Sequence, residues 1–177
     1  MINLNENTQL DPVTLESHSK LIKLVKRVYP PAYKHLWKNE DSSFYINNFY
    51  NPLQLQKELL VKDAEYYFII YKNEPVGILR ILFNKPFNTI KKATYINRIY
   101  LGNEAQGKGV AKAIFEWIEM KALENKNNLL WLKAMNTQEQ ALKFYTKQHF
   151  KIKGKTSLDF ELMHEELRGM IIMTKEL

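Results

Sequence analysis

The stretch TYINRIYLGNEAQGKGVAKAIFEWIEMKALE, residues Thr94–Glu124, changes its periodicity partway along. Thr94–Leu101 is β-branched and aromatic, the composition of a strand. From Val110 onward, Val110, Ile114, Trp117 and Ile118 recur at helical spacing, and Lys112 and Glu116 can pair one turn apart. Between the two halves lie Gly107 and Gly109. The first turn of a helix has N–H groups with no partner inside the helix. It also carries the positive end of the helix dipole, and the two together suit a phosphate. Glycine allows close approach and backbone angles that other residues resist. Lys108 and Lys112 add positive charge. A Gly-x-Gly before a helix is equally compatible with a plain tight turn. The third glycine of a dinucleotide fingerprint is missing, and so is the Gly-Lys-Ser/Thr ending of a P-loop.

Downstream, LLWLKAM (Leu129–Met135) reads as a strand, so residues 94–135 form a strand–helix–strand unit, expected to be a right-handed parallel crossover. TQEQALKFYTKQ (Thr137–Gln148) reads as a helix opened by a Thr-x-x-Gln capping box. HFKIKGK and MIIMTKEL read as strands, paired across TSLDFELMHEELRG. Upstream, YYFIIY (Tyr66–Tyr71) and VGILRILF (Val76–Phe83) form a hairpin about KNEP (Lys72–Pro75). The first third reads as helices. VTLESHSKLIKLVKRVY places Leu15, Leu21, Leu24, Val25 and Val28 near one stripe, and Pro30–Pro31 ends that helix. EDSSFYINNFYN is a second, short helix. A third is capped by Asn51, takes Pro52 at its first position and turns Leu55, Leu59 and Leu60 inward. Helices, a meander, then strand–helix–strand–helix–strand predict one α/β domain over residues 1–177 with a mixed sheet.

Apolar residues make up 45% and charged residues 25% of the 177, the mixture of a globular domain. With no cysteine the chain has no disulfide, thiol nucleophile or cysteine zinc site, which fits a reducing cytosol. No apolar run nears the roughly 18 residues that span a bilayer, and the N-terminus lacks a secretory pattern. A soluble, cytoplasmic protein without membrane contact is expected. The net charge of +7 favours anionic ligands, or is a lysine-rich solubilising surface.

QGKGVA resembles the Gln/Arg-x-x-Gly-x-Gly/Ala signature of the GNAT superfamily of N-acetyltransferases, and it follows a strand as it does there. ALKFYTKQHF (Ala141–Phe150) is similar to that family's Ala-x-x-Phe-Tyr-x-Lys-x-Gly-Phe. INRIYL, NPLQLQKELL and MIIMTKEL look most like the bacterial polyamine-acetylating PaiA-type branch. The resemblance implies a mixed, mostly antiparallel central sheet flanked by helices, with the parallel strand–helix–strand unit as its cofactor-binding core. It implies acetyl-CoA as cosubstrate, no metal, and direct attack by a primary amine in a ternary complex. A small polyamine such as spermidine is the first acceptor it offers. A peptide N-terminus or a lysine, or a silent coenzyme A-binding domain, are the alternatives. No nucleic acid is expected as a partner, and a homodimer is compatible.

By the same resemblance Gln106, Gly107, Lys108, Gly109, Val110 and Ala111 hold the pyrophosphate, and the backbone of Ile99, Tyr100 and Leu101 pairs with the pantetheine arm. Gln138 and Lys147 join the cofactor set, Gln138 standing where the family often has asparagine. Tyr145 is the expected acid for the leaving thiolate; by periodicity alone it could equally pack the core with Ala141 and Phe144. His149 replaces the motif's glycine, at a position that often takes left-handed backbone angles. Tyr33 and Trp37 are expected at the acceptor, within an aromatic segment that also holds Tyr29, Phe44, Tyr45, Phe49 and Tyr50. Cation–π contacts there, with Glu40 and Asp41 nearby, would attract an alkylammonium.

The chemistry requires a neutral amine. An alkylamine with a pKa of about 10.4 costs roughly 4–5 kcal/mol to deprotonate at pH 7. In the PaiA-type pattern a glutamate precedes Arg-Ile-Tyr; here the residue is Asn97, whose amide is no base but can order a water. Strand alternation predicts that Tyr95, Asn97, Ile99 and Leu101 share one face. His35 and His149 are the other bases by residue type, and both read as surface residues.

Overall fold

The computed structural model describes residues 1–177. In chain order the elements are β1 (Ile2–Asn3), β2 (Thr8–Pro12), α1 (His18–Tyr33), α2 (Ser43–Phe49), α3 (Pro52–Leu59), β3 (Ala64–Tyr71) and β4 (Glu74–Leu82). There follow β5 (Ala93–Leu101), α4 (Val110–Glu124), β6 (Leu129–Met135), α5 (Glu139–Lys147), β7 (Lys151–Ser157) and β8 (Gly169–Glu176). The strands form one sheet in the order β1-β2-β3-β4-β5-β6-β8-β7. Every neighbouring pair is antiparallel except β5–β6, which α4 joins as a parallel crossover. The mixed α/β architecture is the expected one.

Local chemistry explains the hairpin. Lys72 and Asn73 both have positive φ, 49° and 68°, the two left-handed positions of a tight turn whose twist matches that of the strands. Asn51 caps α3 by accepting from the Gln54 N–H at 2.9 Å, with Pro52 at the first helical position. One face of the sheet packs on α4, where Val110, Ile114, Phe115 and Ile118 are fully buried. The other packs on α1 and α3 through Leu21, Val25 and Leu55 against Phe68 and Ile78.

Several expectations need correction. The chain opens with two strands, not a helix: TQLDP extends the sheet through pairs from Thr8–Tyr71 to Pro12–Tyr67, a long-range pairing that its composition does not announce. Helix α1 starts only at His18, leaving Leu15 outside it and 41% exposed. It also continues through Pro30 and Pro31 to Tyr33, closed by the Lys34 N–H on the Pro30 carbonyl. Both prolines lie in the final turn, where Tyr33 stacks on Tyr29 at 4.7 Å. In α3 Leu55 is buried, but Leu59 and Leu60 face out and Glu58 faces in. The capping box does not form; Gln138 takes the cap position without a side-chain bond, and the Thr137 hydroxyl is buried without a partner.

The centre of the sheet is irregular. Between β4 and β5 the register passes from Arg80–Arg98 to Ile81–Ile96, which leaves Asn97 as the extra residue of a bulge. The bulge reverses the phase of β5. Ile96, Ile99 and Leu101 face the α4 side, while Arg98 and Tyr100 face α1–α3, so the single face predicted for Tyr95, Asn97, Ile99 and Leu101 is not formed. The β5–β6 ladder stops after four pairs, at Ile96–Leu132. Beyond it β5 stays with β4 and β6 stays with β8, so the edge of β5 that faces β6 has no ladder partner from Asn97 onward.

Candidate active site

The glycine turn sits where β5 leaves the sheet and α4 begins. Gly107 and Gly109 have φ of +69° and +76°, left-handed values that favour glycine. A Cβ at either position would meet nothing within 4 Å, so open space lies over both. Gln106 donates its N–H to Asn103 and Ala113 donates to Gly109; between them the N–H groups of Gly107 to Lys112 have no backbone acceptor. They point to an anion site in the sense expected of a helix N-terminus.

A cavity of about 350 Å³ runs from this turn along the open edge of β5. Gln106, Gly107, Gly109, Val110, Ala111 and Lys112 line one end; Ile99, Tyr100 and Leu101 line its length; Phe144 and Tyr145 of α5 close the side. Lys108 and Lys147, both expected in the cofactor set, are exposed and line neither this cavity nor the next. Gln106 is partly committed, its Nε2 donating to Asn103 Oδ1 at 2.9 Å.

A second cavity, about 320 Å³, lies beyond it under α1 and α2. Of the aromatic segment, Tyr33, Trp37, Tyr29, Tyr45 and Phe49 line it; Phe44 and Tyr50 do not. Asn97 and Arg98 line it from β5, and Lys133 from β6. Glu40 and Asp41 do not reach it; Glu40 is exposed and pairs with Lys34 at 2.7 Å. The two cavities share Tyr33, Ile99, Tyr100, Gln138, Ala141 and Tyr145. Gln138 ties the start of α5 to the end of α1 through Nε2 on the Ala32 carbonyl, at 2.7 Å.

Tyr145 stands at that junction. Its ring is 9% exposed and packs 5.7 Å from Phe115 and 6.0 Å from Phe150. No protein group hydrogen-bonds its hydroxyl, whose pKa burial pushes up to about 12. His149, just beyond the helix, has φ +67°, the left-handed value expected where the motif has glycine. Across the junction Tyr33 and Tyr45 stack on Tyr29 at 4.7 and 4.8 Å, and the Tyr45 and Tyr100 hydroxyls bond each other at 3.0 Å. Burial raises the pKa of Tyr29, Tyr33 and Tyr100, which keeps all three neutral.

Asn97 is held from behind. Its Oδ1 accepts from Arg80 Nη1 at 2.7 Å, and because a guanidinium only donates, the amide's other group is Nδ2, a donor. Arg80 and Arg98 converge on buried Glu58, Arg98 at 2.6 Å and Arg80 at 3.6 Å. Burial alone would raise the Glu58 carboxyl; the bond and charge of Arg98, with Gln54 and Arg80, more than offset it and hold the carboxyl below its ordinary range.

Sequence reasoning passed over Leu158, Phe160 and Met163, which lie in the connection before β8 and line the second cavity. The segment is pinned by the Lys38 N–H on the Leu162 carbonyl and the His164 N–H on the Leu36 carbonyl, both 2.9 Å. Its apolar residues, unusual for a connection, were the available signal.

The fold and site define a class: a mixed sheet split by a wedge that opens at a turn of unpaired N–H groups, with an aromatic chamber behind it. The model of the acetyltransferase (GNAT) family matches residues 23–150, and the chain belongs to that family. An uncharacterized N-acetyltransferase encoded in the pepI 3′ region of Lactobacillus delbrueckii subsp. lactis is 29% identical over 108 residues; the match spans 60% of this chain and 62% of that protein's length. Among solved structures, PaiA N-acetyltransferase from Thermoplasma acidophilum in complex with coenzyme A superposes with TM-score 0.74 at 17% identity, over 96% of this chain and 99% of that one. The ribosomal L7/L12 alpha-N-protein acetyltransferase RimL, in complex with coenzyme A, gives TM-score 0.72 at 16% identity, over 99% and 97%. At such identities these two establish the fold. No helix is long and apolar enough to cross a membrane.

Proposed function

We propose that this protein transfers acetyl from acetyl-CoA to a primary amine by direct attack within a ternary complex. The observation that carries the reading is the meeting of the two cavities at Tyr145: one leads from a turn of unpaired N–H groups, the other from an aromatic chamber. The N–H groups of Gly107 to Ala111 would hold the pyrophosphate, and the open edge of β5 at Ile99–Leu101 would pair with the amide-bearing pantetheine arm. A backbone N–H near Ile99 or Leu101 would polarise the thioester carbonyl. Tyr145 would protonate the leaving thiolate.

The PaiA-type resemblance offers a polyamine as acceptor; a peptide amine is the rival. A domain that binds coenzyme A without catalysis is favoured by one observation, the amide at Asn97 where the resembling branch has an acid. Thiol release from acetyl-CoA with a panel of amines, beside calorimetry of acetyl-CoA binding, tests all three. Saturable turnover supports the transfer reading; binding without turnover supports the silent domain; neither would remove both.

Gly109→Val should weaken acetyl-CoA binding by roughly tenfold or more, about 1.4 kcal/mol. A branched side chain resists the left-handed angle and fills the open space over the turn. Gly109→Asn, which tolerates that angle, should lose less. Equal affinities by calorimetry for Gly109→Val and the parent would take the pyrophosphate away from this turn.

A further inference from the structure

The wall of the acceptor chamber carries two charged groups, Arg98 and Lys133, and no carboxylate or imidazole. We propose that the acceptor is a weakly basic amine, substantially neutral at pH 7 on its own account, carried on an aromatic body: an α-amine beside a carbonyl, as in an aminoacyl amide or peptide N-terminus with an aromatic side chain. The inference rests on the acetyl-transfer reading above.

The first ground is the proton. Only about one in 2,500 alkylamines is neutral at pH 7, against about one in eight α-amines. Nothing on the chamber wall is suited to make up that difference. The Asn97 oxygen is taken by Arg80, and the neutral tyrosines Tyr29, Tyr33 and Tyr100 resist deprotonation because they are buried.

The second ground is charge. A polyamine needs carboxylates or open ring faces. The buried carboxylate behind the chamber, Glu58, is shared by two arginines, so that cluster keeps a net positive charge. Lys133 is exposed and has no ion-pair partner. Tyr29 lies between the rings of Tyr33 and Tyr45, and Tyr95 lies on Trp131 at 3.9 Å, so these faces are spent on one another.

The third ground is shape. Phe49 and Phe160 supply apolar walls, with the fully buried Trp37 packed against Phe160, and about 320 Å³ is ample for a ring with a short chain, given that a cavity of about 150 Å³ holds benzene. In the reaction the neutral nitrogen attacks the thioester carbon, forming C–N as C–S breaks. The thiolate takes the Tyr145 hydroxyl proton. The nitrogen gives its surplus proton to solvent water, and Tyr145 is reprotonated from solvent.

The test is kcat/KM for thiol release from acetyl-CoA with phenylalaninamide, phenethylamine, alaninamide, spermidine and the peptide Phe-Ala-Ala. Phenylalaninamide should exceed phenethylamine, which has the ring but is strongly basic, by at least about tenfold. It should exceed alaninamide, weakly basic without the ring, by a similar factor, and spermidine by more. Its kcat/KM should rise with pH and level off at the pKa of the amine itself. Phe-Ala-Ala above phenylalaninamide would identify a peptide as the source of the α-amine, and the reverse order a small molecule; both support the class. Spermidine or phenethylamine equal to phenylalaninamide would overturn it while leaving acetyl transfer intact. No release with any of the five, with acetyl-CoA binding confirmed by calorimetry, would bring down the transfer reading and this inference with it.

Discussion

Tyr145→Phe is expected to lower kcat by about 100-fold or more, in the range of a lost general acid, and to leave acetyl-CoA affinity within about twofold. The substitution keeps the ring and its packing on Phe115 and Phe150, and removes only a hydroxyl that no protein group engages. Expelling an unprotonated thiolate into a buried site is the cost that remains. Burial pushes the hydroxyl up to about 12, so the acid form persists through the working range, and the parent protein should show no alkaline loss of kcat between about pH 7 and 10. Single-turnover thiol release is the measurement, because it is not masked by product release. An unchanged single-turnover rate would return Tyr145 to a packing role.

Glu58→Gln should destabilise the fold by about 3–5 kcal/mol at pH 7, because it leaves Arg80 and Arg98 buried without their counterion. The pH dependence has a definite sign. The folded carboxyl is held below its ordinary value of 4.5, so its contribution is present above that value and is lost as pH falls through the folded pKa. Urea unfolding should therefore show the gap between parent and variant at pH 7 narrowing once the pH falls below the ordinary carboxyl value of 4.5. A gap under about 1 kcal/mol at pH 7 would mean that the pair contributes no more than a surface ion pair does. Activity should fall as well, since Arg80 also holds Asn97 at the chamber wall.

Features that sequence carries locally were readable. The glycine turn, the Lys72–Asn73 hairpin and the α4 crossover each follow from residues adjacent in the chain. Features set by long-range pairing were not. Nothing in INRIYL marks Asn97 as a bulge; that follows from the register against β4, and it brings Ile96 onto the face of Ile99 and Leu101, where plain alternation would oppose them. Within LQKELL a helical stripe predicts inward leucines, yet position 58 is the one opposite Arg98, and ion pairing overrides hydropathy there. The motif residues Gly107, Gly109 and Tyr145 line the first cavity, whereas Lys108 and Lys147 do not. The chamber's lack of carboxylates was invisible, because it is a property of which distant segments meet.

The four-rung β5–β6 ladder also makes the molecule two half-sheets sewn along a short seam. The strands from β1 to β5 form one panel, and β6, β8 and β7 form the other. A ligand arm lying in the open wedge would lengthen that seam with new rungs. Cofactor binding should then stiffen the joint itself, protecting the amides around Ile96 and Leu132 from hydrogen exchange ahead of those in either panel.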